Sequence, residues 1–127
     1  MHHQVLIVED NAVMANLLQF NLKRAGFGTV VATNGDRALQ LASQSQFDVV
    51  ITDHQMPGMP GVELCKRLRE MPAYETTPLL LCTAKGLELP REALLEDFGI
   101  TDLIFKPVSP RQLVLTVQSL LSPVTSG

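Results

Sequence analysis

The chain has 127 residues, 46% of them hydrophobic and 18% charged, with a net charge of −3. That is one domain's worth of sequence, long enough to bury a core without disulfide or metal staples and too apolar for disorder. The charge gives no electrostatic footprint for nucleic acid, and no stretch reads as a signal peptide or a membrane span.

Val5-Leu6-Ile7-Val8 contains nothing polar and predicts a fully buried strand. From about Ala12 to Ala25, apolar residues at Val13, Leu17 and Phe20 and at Met14, Leu18 and Leu22 predict a helix with a wide apolar stripe, capped by Asn11 and ended by Gly26. Gly28 to Ala32 reads as a second strand, and Asn34-Gly35-Asp36 starts a helix carrying Ala38, Leu39, Leu41 and Ala42. The third strand is Asp48 to Thr52. A helix from about Val62 to Glu70 buries Val62, Leu64, Cys65 and Leu68, with Pro72 just past its end. Leu79 to Cys82 is the fourth strand, and a helix around Pro90 to Phe98 stops at Gly99. Asp102 to Phe105 is the fifth strand. Ser109-Pro110 opens a last helix with Leu113, Val114, Val117, Leu120 and Leu121, which Pro123 stops before a frayed tail over 122–127. Buried strands alternating with helices predict an α/β fold, a doubly wound, flavodoxin-like, five-stranded parallel sheet of order 2-1-3-4-5 with five helices. The whole of 1–127 reads as one domain, its core at about 4–121. Cys65 and Cys82 read as small buried thiols in a reducing, cytoplasmic setting, and His2 and His3 are assigned no function.

Polar residues cluster in a telling way at the strand ends. Glu9-Asp10 follows the first strand, Asp53 the third, Thr83 the fourth and Lys106-Pro107 the fifth. The strand order sets the ends of the first and third strands side by side, so Glu9, Asp10 and Asp53 converge on one crevice. Three carboxylates that close repel one another, and a divalent cation relieves them; an all-oxygen set that leaves room for water and phosphate suits Mg²⁺. Asp53 is then the candidate nucleophile toward phosphorus, with Lys106 pairing a phosphoryl oxygen and Thr83 within reach of another. Taken singly, each residue has a plainer reading. Glu9 and Asp10 would favour the N-terminus of the first helix, Lys106 would be a surface lysine, and Thr83 would satisfy a backbone group. Pro107 argues for a constrained turn, a cis peptide among the options, that aims Lys106 inward.

Val8-Glu9-Asp10, Asp53-x-x-Met56-Pro57-x-x-x-Gly61, Thr83-Ala84 and Lys106-Pro107 together resemble the receiver domain of two-component response regulators, over about Gln4 to Leu121. The resemblance implies a phosphorylatable switch in which a histidine kinase or histidine phosphotransfer protein donates to Asp53. It also implies Mg²⁺ held by Glu9, Asp10, Asp53 and the backbone carbonyl of Gln55, with Lys106 on the phosphoryl group. Thr83 would move toward that group, changing the face formed by the fourth helix, fifth strand and fifth helix for a downstream protein or output domain. Catalysis would be confined to the chain's own phosphorylation and dephosphorylation. A homodimer stays open, and no direct contact with nucleic acid or membrane is implied.

Four departures stand out against this family. Leu103 occupies the position, three before the lysine, where Tyr or Phe is common as a second switch element. Phe105 lies one residue before Lys106, is expected on the opposite side of the strand, and is not assigned that role. Pro60 stands where Asp is common and should only stiffen the loop. Gln55 and Lys85 sit where the family tunes phosphoryl lifetime. The last helix carries one charge, Arg111, unlike receivers that dimerise for DNA binding, and the short motifs look more like receivers of hybrid kinases or stand-alone ones. The alternative function is a non-phosphorylated pseudo-receiver serving as a constitutive protein-binding module, which the intact set Asp10, Asp53, Thr83 and Lys106 disfavours. A phosphotransferase or phosphatase enzyme would need more chain, and a flavodoxin-like carrier would need a phosphate-cradling loop after the first strand.

Overall fold

Alternating buried segments and amphipathic ones fold as the pattern predicts. The computed structural model describes residues 3–84 and 90–121. In chain order the elements are β1 (Gln4–Val8), α1 (Ala12–Arg24), β2 (Gly28–Ala32), α2 (Gly35–Gln44), β3 (Val49–Asp53), α3 (Gly61–Arg69), a 3₁₀ turn (Pro72–Tyr74), β4 (Leu79–Thr83), α4 (Arg91–Asp97), β5 (Asp102–Phe105) and α5 (Pro110–Leu121). The strands lie in the order β2-β1-β3-β4-β5, each pair parallel. Pro123, the tail and Lys85 lie outside the described residues.

The helices begin and end where the side chains dictate. Asn11 caps α1 by accepting from the Met14 N–H (3.0 Å), and Asn34 caps α2 by accepting from the Arg37 N–H (2.8 Å). Gly99 ends the α4 segment at φ +68°, a left-handed turn that a side chain resists.

Side-chain alternation along the strands divides the core into two layers. Leu6, Val50, Leu79 and Leu81 face α2, α3 and α4, packing with Ala38, Leu64, Leu68 and Leu94. Val5, Ile7, Val49, Ile51 and Leu80 face α1 and α5, packing with Leu18, Leu22, Leu113 and Val117. Only half of the wide α1 stripe meets the sheet: Ala15, Leu18 and Leu22 are buried, whereas Val13, Leu17 and Phe20 are solvent-facing, at 79%, 42% and 59% exposure. The buried residues share one face of the helix, and Val13, Leu17 and Phe20 lie off it.

Tyr74, fully buried, and Arg69 are structural residues that the pattern did not single out. The Tyr74 hydroxyl lies 2.9 Å from the Ala42 carbonyl and 2.6 Å from that of Ser45, and accepts from the Phe47 N–H at 3.3 Å. Arg69 donates to the carbonyls of Gly99 (2.9 Å), Tyr74 (2.7 Å) and Thr77 (2.7 Å). These bonds tie the end of α3 to the approaches of β4 and β5.

Candidate functional site

The same alternation decides which strand-end residues meet. Asp53 pairs in register with Cys82, whose neighbour on β5 is Ile104, so Asp53 belongs to the α1/α5 side of the sheet. Glu9 follows β1 and Lys106 follows β5 on that same side. Thr83 falls one residue on from Cys82 and therefore faces the α3/α4 side.

The loop after Asp53 is held close to the sheet. His54 N–H donates to the Cys82 carbonyl (2.9 Å), and Gly61 N–H donates back to the His54 carbonyl (2.9 Å). A Cβ at Gly61 would run into the Asp53 carbonyl oxygen, so only glycine allows α3 to start this near the acid. Pro60 accepts at the first turn of α3, from the N–H groups of Glu63 and Leu64, both at 3.1 Å. The Lys106–Pro107 peptide is cis, one of the two turn geometries the sequence left open.

The resulting cleft holds about 490 Å³ and is lined by Glu9, Asp10, Asp53, Gln55 and Lys106, with Asn11, Met14 and Pro107 at its sides. Carboxylate oxygens of Glu9, Asp10 and Asp53 all lie within 4.8 Å of one another. Asp53 and Glu9 are buried and Asp10 is exposed. Lys106 Nζ meets the buried Asp53 Oδ1 as an ion pair at 2.5 Å. Glu9 Oε2 accepts from the Asn11 N–H (3.2 Å), so part of its role is to settle the α1 entrance.

The electrostatics follow from this crowding. Burial, with the charge of Asp53 behind it, holds the Glu9 pKa above the ordinary carboxylate value, against the pull of the Asn11 N–H. The sign is unfavourable to the folded state: ionised Glu9 costs stability in full above its raised pKa, and the cost vanishes below the ordinary one. Burial would lower Lys106, but its hydrogen bond and attraction to Asp53, with the charge of Glu9, outweigh it and raise the amine. Burial lowers the pKa of His54, which stands beside Asp53 with its Nδ1 buried and unpartnered; the sequence offered no signal for it beyond membership of the turn.

A divalent cation fits this donor set. Three oxygen donors of like charge within 4.8 Å match the ligand chemistry of a hard cation and match nothing that zinc or copper prefers. Asp10→Asn is accordingly expected to weaken Mg²⁺ binding by about ten-fold or more in titration, while raising the urea midpoint in metal-free buffer by relieving repulsion. Unchanged affinity would remove Asp10 from the site.

Thr83 is the site residue that the structure keeps apart from the others. It is 1% exposed, and its hydroxyl donates to the Ala84 carbonyl at 3.2 Å, as the plainer reading of a strand-end threonine anticipated. Its backbone carbonyl accepts from the Lys106 N–H (2.9 Å), so it joins the site through the β4–β5 ladder.

Fold and site together define a doubly wound α/β protein with an acidic cleft and a paired lysine at the switch point of its sheet. The chain belongs to the response regulator receiver domain family, whose sequence profile matches residues 5–118. It is 39% identical over 118 residues to the transcriptional regulatory protein ResD of Bacillus subtilis, covering 93% of this chain and 48% of ResD. The chain spans about half the length of the curated relatives it matches. Among solved structures, the chemotaxis response regulator CheY4 of Vibrio cholerae superposes with a TM-score of 0.86 at 32% identity, over 95% of this chain and 100% of that one. The receiver domain of a signal transduction histidine kinase from Syntrophus aciditrophicus gives 0.85 at 34% identity, over 98% and 94%. Among the described residues no helix is long and apolar enough to cross a membrane.

Proposed function

We propose that the chain is the phosphorylatable switch of a two-component phosphorelay, taking a phosphoryl group on Asp53 from a histidine kinase or histidine phosphotransfer protein. The observation that carries this reading is the Asp53–Lys106 ion pair set against the carboxylates of Glu9 and Asp10 in one open cleft. An Asp53 carboxylate oxygen attacks phosphorus; the P–N bond to the donor imidazole breaks, and its electron pair stays on the ring nitrogen. Lys106, already aimed at Asp53, passes to a phosphoryl oxygen as the new charge arrives. Glu9, Asp10, Asp53 and the Gln55 carbonyl would hold Mg²⁺, which supplies charge neutralisation for the transferring group. Thr83 would exchange its bond to Ala84 for one to the phosphoryl group, shifting the α4–β5–α5 face for a downstream protein or output domain. Free, buried Cys65 and Cys82, each with a thiol pushed up to about 12 by burial, suit a reducing cytoplasm.

The exposed half of α1 supports a protein donor. Val13, Leu17 and Phe20 run down the helix from the cleft wall at Asn11 and Met14, and Arg24 stacks its guanidinium 5.6 Å from the centre of the Phe20 ring. Such a stripe suits the helix of a partner that must bring a phosphohistidine to the cleft mouth. Phe20→Glu is expected to slow transfer from a phosphorylated histidine protein by about ten-fold or more while leaving acetyl phosphate labelling unchanged. Equal slowing of both donors, or of neither, would count against the stripe.

The reading as a whole is tested by intact mass after incubation with acetyl phosphate, with and without Mg²⁺. One phosphoryl adduct that requires Mg²⁺ is the expected result. A folded chain that takes no adduct from acetyl phosphate or from a phosphohistidine protein would return the assignment to a constitutive binding module.

A further inference from the structure

We infer that the groove between α1 and α5 seats the acidic α4 helix of a second copy of this chain. The contact lies apart from the phosphoacceptor cleft and does not depend on Asp53 taking a phosphoryl group.

The charges of the two helices are one-sided. Lys23 and Arg24 on α1 and Arg111 on α5 are the only charged residues of either helix, and all are cations. All 13 Asp and Glu of the chain lie elsewhere. Between the helices runs a groove of about 430 Å³, lined by Asn21, Arg24, Ala25, Arg111, Val114 and Leu115. Ala25, Val114 and Leu115 make it apolar, with Leu115 50% exposed, and each helix adds one guanidinium. Arg24 is stacked on the Phe20 ring, and among the described residues neither arginine has an ion pair.

The α4 helix presents the complement. Glu92, Leu95 and Glu96 are spaced by three and four residues and so share one side of the helix. Both glutamates are exposed, and among the described residues neither has an ion pair; Leu95 is half-buried. Carboxylate, leucine and carboxylate on α4 thus match guanidinium, apolar bed and guanidinium in the groove.

Topology makes the occupant a second copy. Leu94 anchors α4 in the core layer that holds Ala38 and Leu64, on the face of the sheet opposite α1 and α5. A chain cannot carry its own α4 around the sheet to its own groove. Groove and helix are different patches, so the contact is head-to-tail: each copy offers its groove to one neighbour and its α4 to another. Exposed charges attract weakly and are screened by salt, so the association is weak and salt-sensitive.

The test is sedimentation velocity on the unphosphorylated chain. The average mass of the wild type is expected to rise with concentration up to several hundred micromolar in about 20 mM salt, and to lose about half of that rise or more in about 0.5 M salt. Arg24→Glu with Arg111→Glu, and separately Glu92→Lys with Glu96→Lys, should each weaken association by about ten-fold or more. Mixed in equal amounts the two double variants should recover it, because each reversed groove then meets a reversed α4 and each native groove a native one. Arg37→Glu with Lys66→Glu changes the net charge as much as the groove variant does, away from both surfaces, and should associate as the wild type does. A wild-type chain that stays monomeric throughout, association that the two double variants keep, a mixture no more associated than its components, or a loss in the Arg37/Lys66 control equal to that of the groove variant overturns the inference.

Discussion

Asp53→Asn is expected to abolish the phosphoryl adduct and leave the fold in place. A side-chain amide keeps the shape of the carboxylate but lacks its nucleophilic oxygen, so labelling at this position should fall by at least about a thousand-fold. The backbone around the residue does not depend on the charge: the β3–β4 register and the His54 N–H bond to Cys82 are main-chain contacts. Two electrostatic terms change in opposite directions. Glu9 loses a repulsive neighbour, and Lys106 loses the partner of its 2.5 Å ion pair, keeping the attraction of Glu9. The Glu9 pKa should therefore move back down toward the ordinary range, a shift that NMR titration of the variant would read. A full-strength phosphoprotein signal in Asp53→Asn would sink the assignment of Asp53.

The acids and the lysine were legible because each ends a strand with no polar residue in its middle, and the strand order alone brings β1 and β3 together. Register adds what the pattern lacks. The sequence set Thr83 among the site residues; the sheet turns it to the opposite face and leaves it linked by a backbone bond. Phe105 falls opposite Lys106, as alternation along the strand required. The burial of the α1 stripe needed the structure for a different reason. Periodicity gives the width of an apolar face but not which half meets the sheet, and Val13, Leu17 and Phe20 carry the same signal as Leu18 and Leu22. Arg69 was invisible because its short bonds go to backbone carbonyls, which have no residue type to recognise, and its partners lie up to 32 positions away.

Arg69→Ala should cost the most stability of any substitution outside the apolar core considered for this chain, about 3 kcal/mol, because hydrogen bonds from a charged donor contribute roughly 1.5–3 kcal/mol each and partly overlap here. The guanidinium bridges three carbonyls that belong to three segments: Tyr74 in the 3₁₀ turn, Thr77 before β4 and Gly99 before β5. Burial lowers its pKa, and among the described residues it has no ion pair, so those carbonyls are its compensation. Arg69→Lys should recover less than half of the loss, because an ammonium cannot present a planar fork to carbonyls in different directions. The test is urea unfolding, with the midpoint lowered and the slope unchanged. A loss below about 1 kcal/mol would show that water replaces the bridge at little cost. The consequence reaches the site through β5, whose approach Arg69 anchors at Gly99 and whose first register pair follows the Thr101 N–H bond to the Leu79 carbonyl. With that anchor gone, amide exchange should quicken at Thr101 and along β5 to Phe105, and labelling of Asp53 should slow because Lys106 is held at the far end of the same strand.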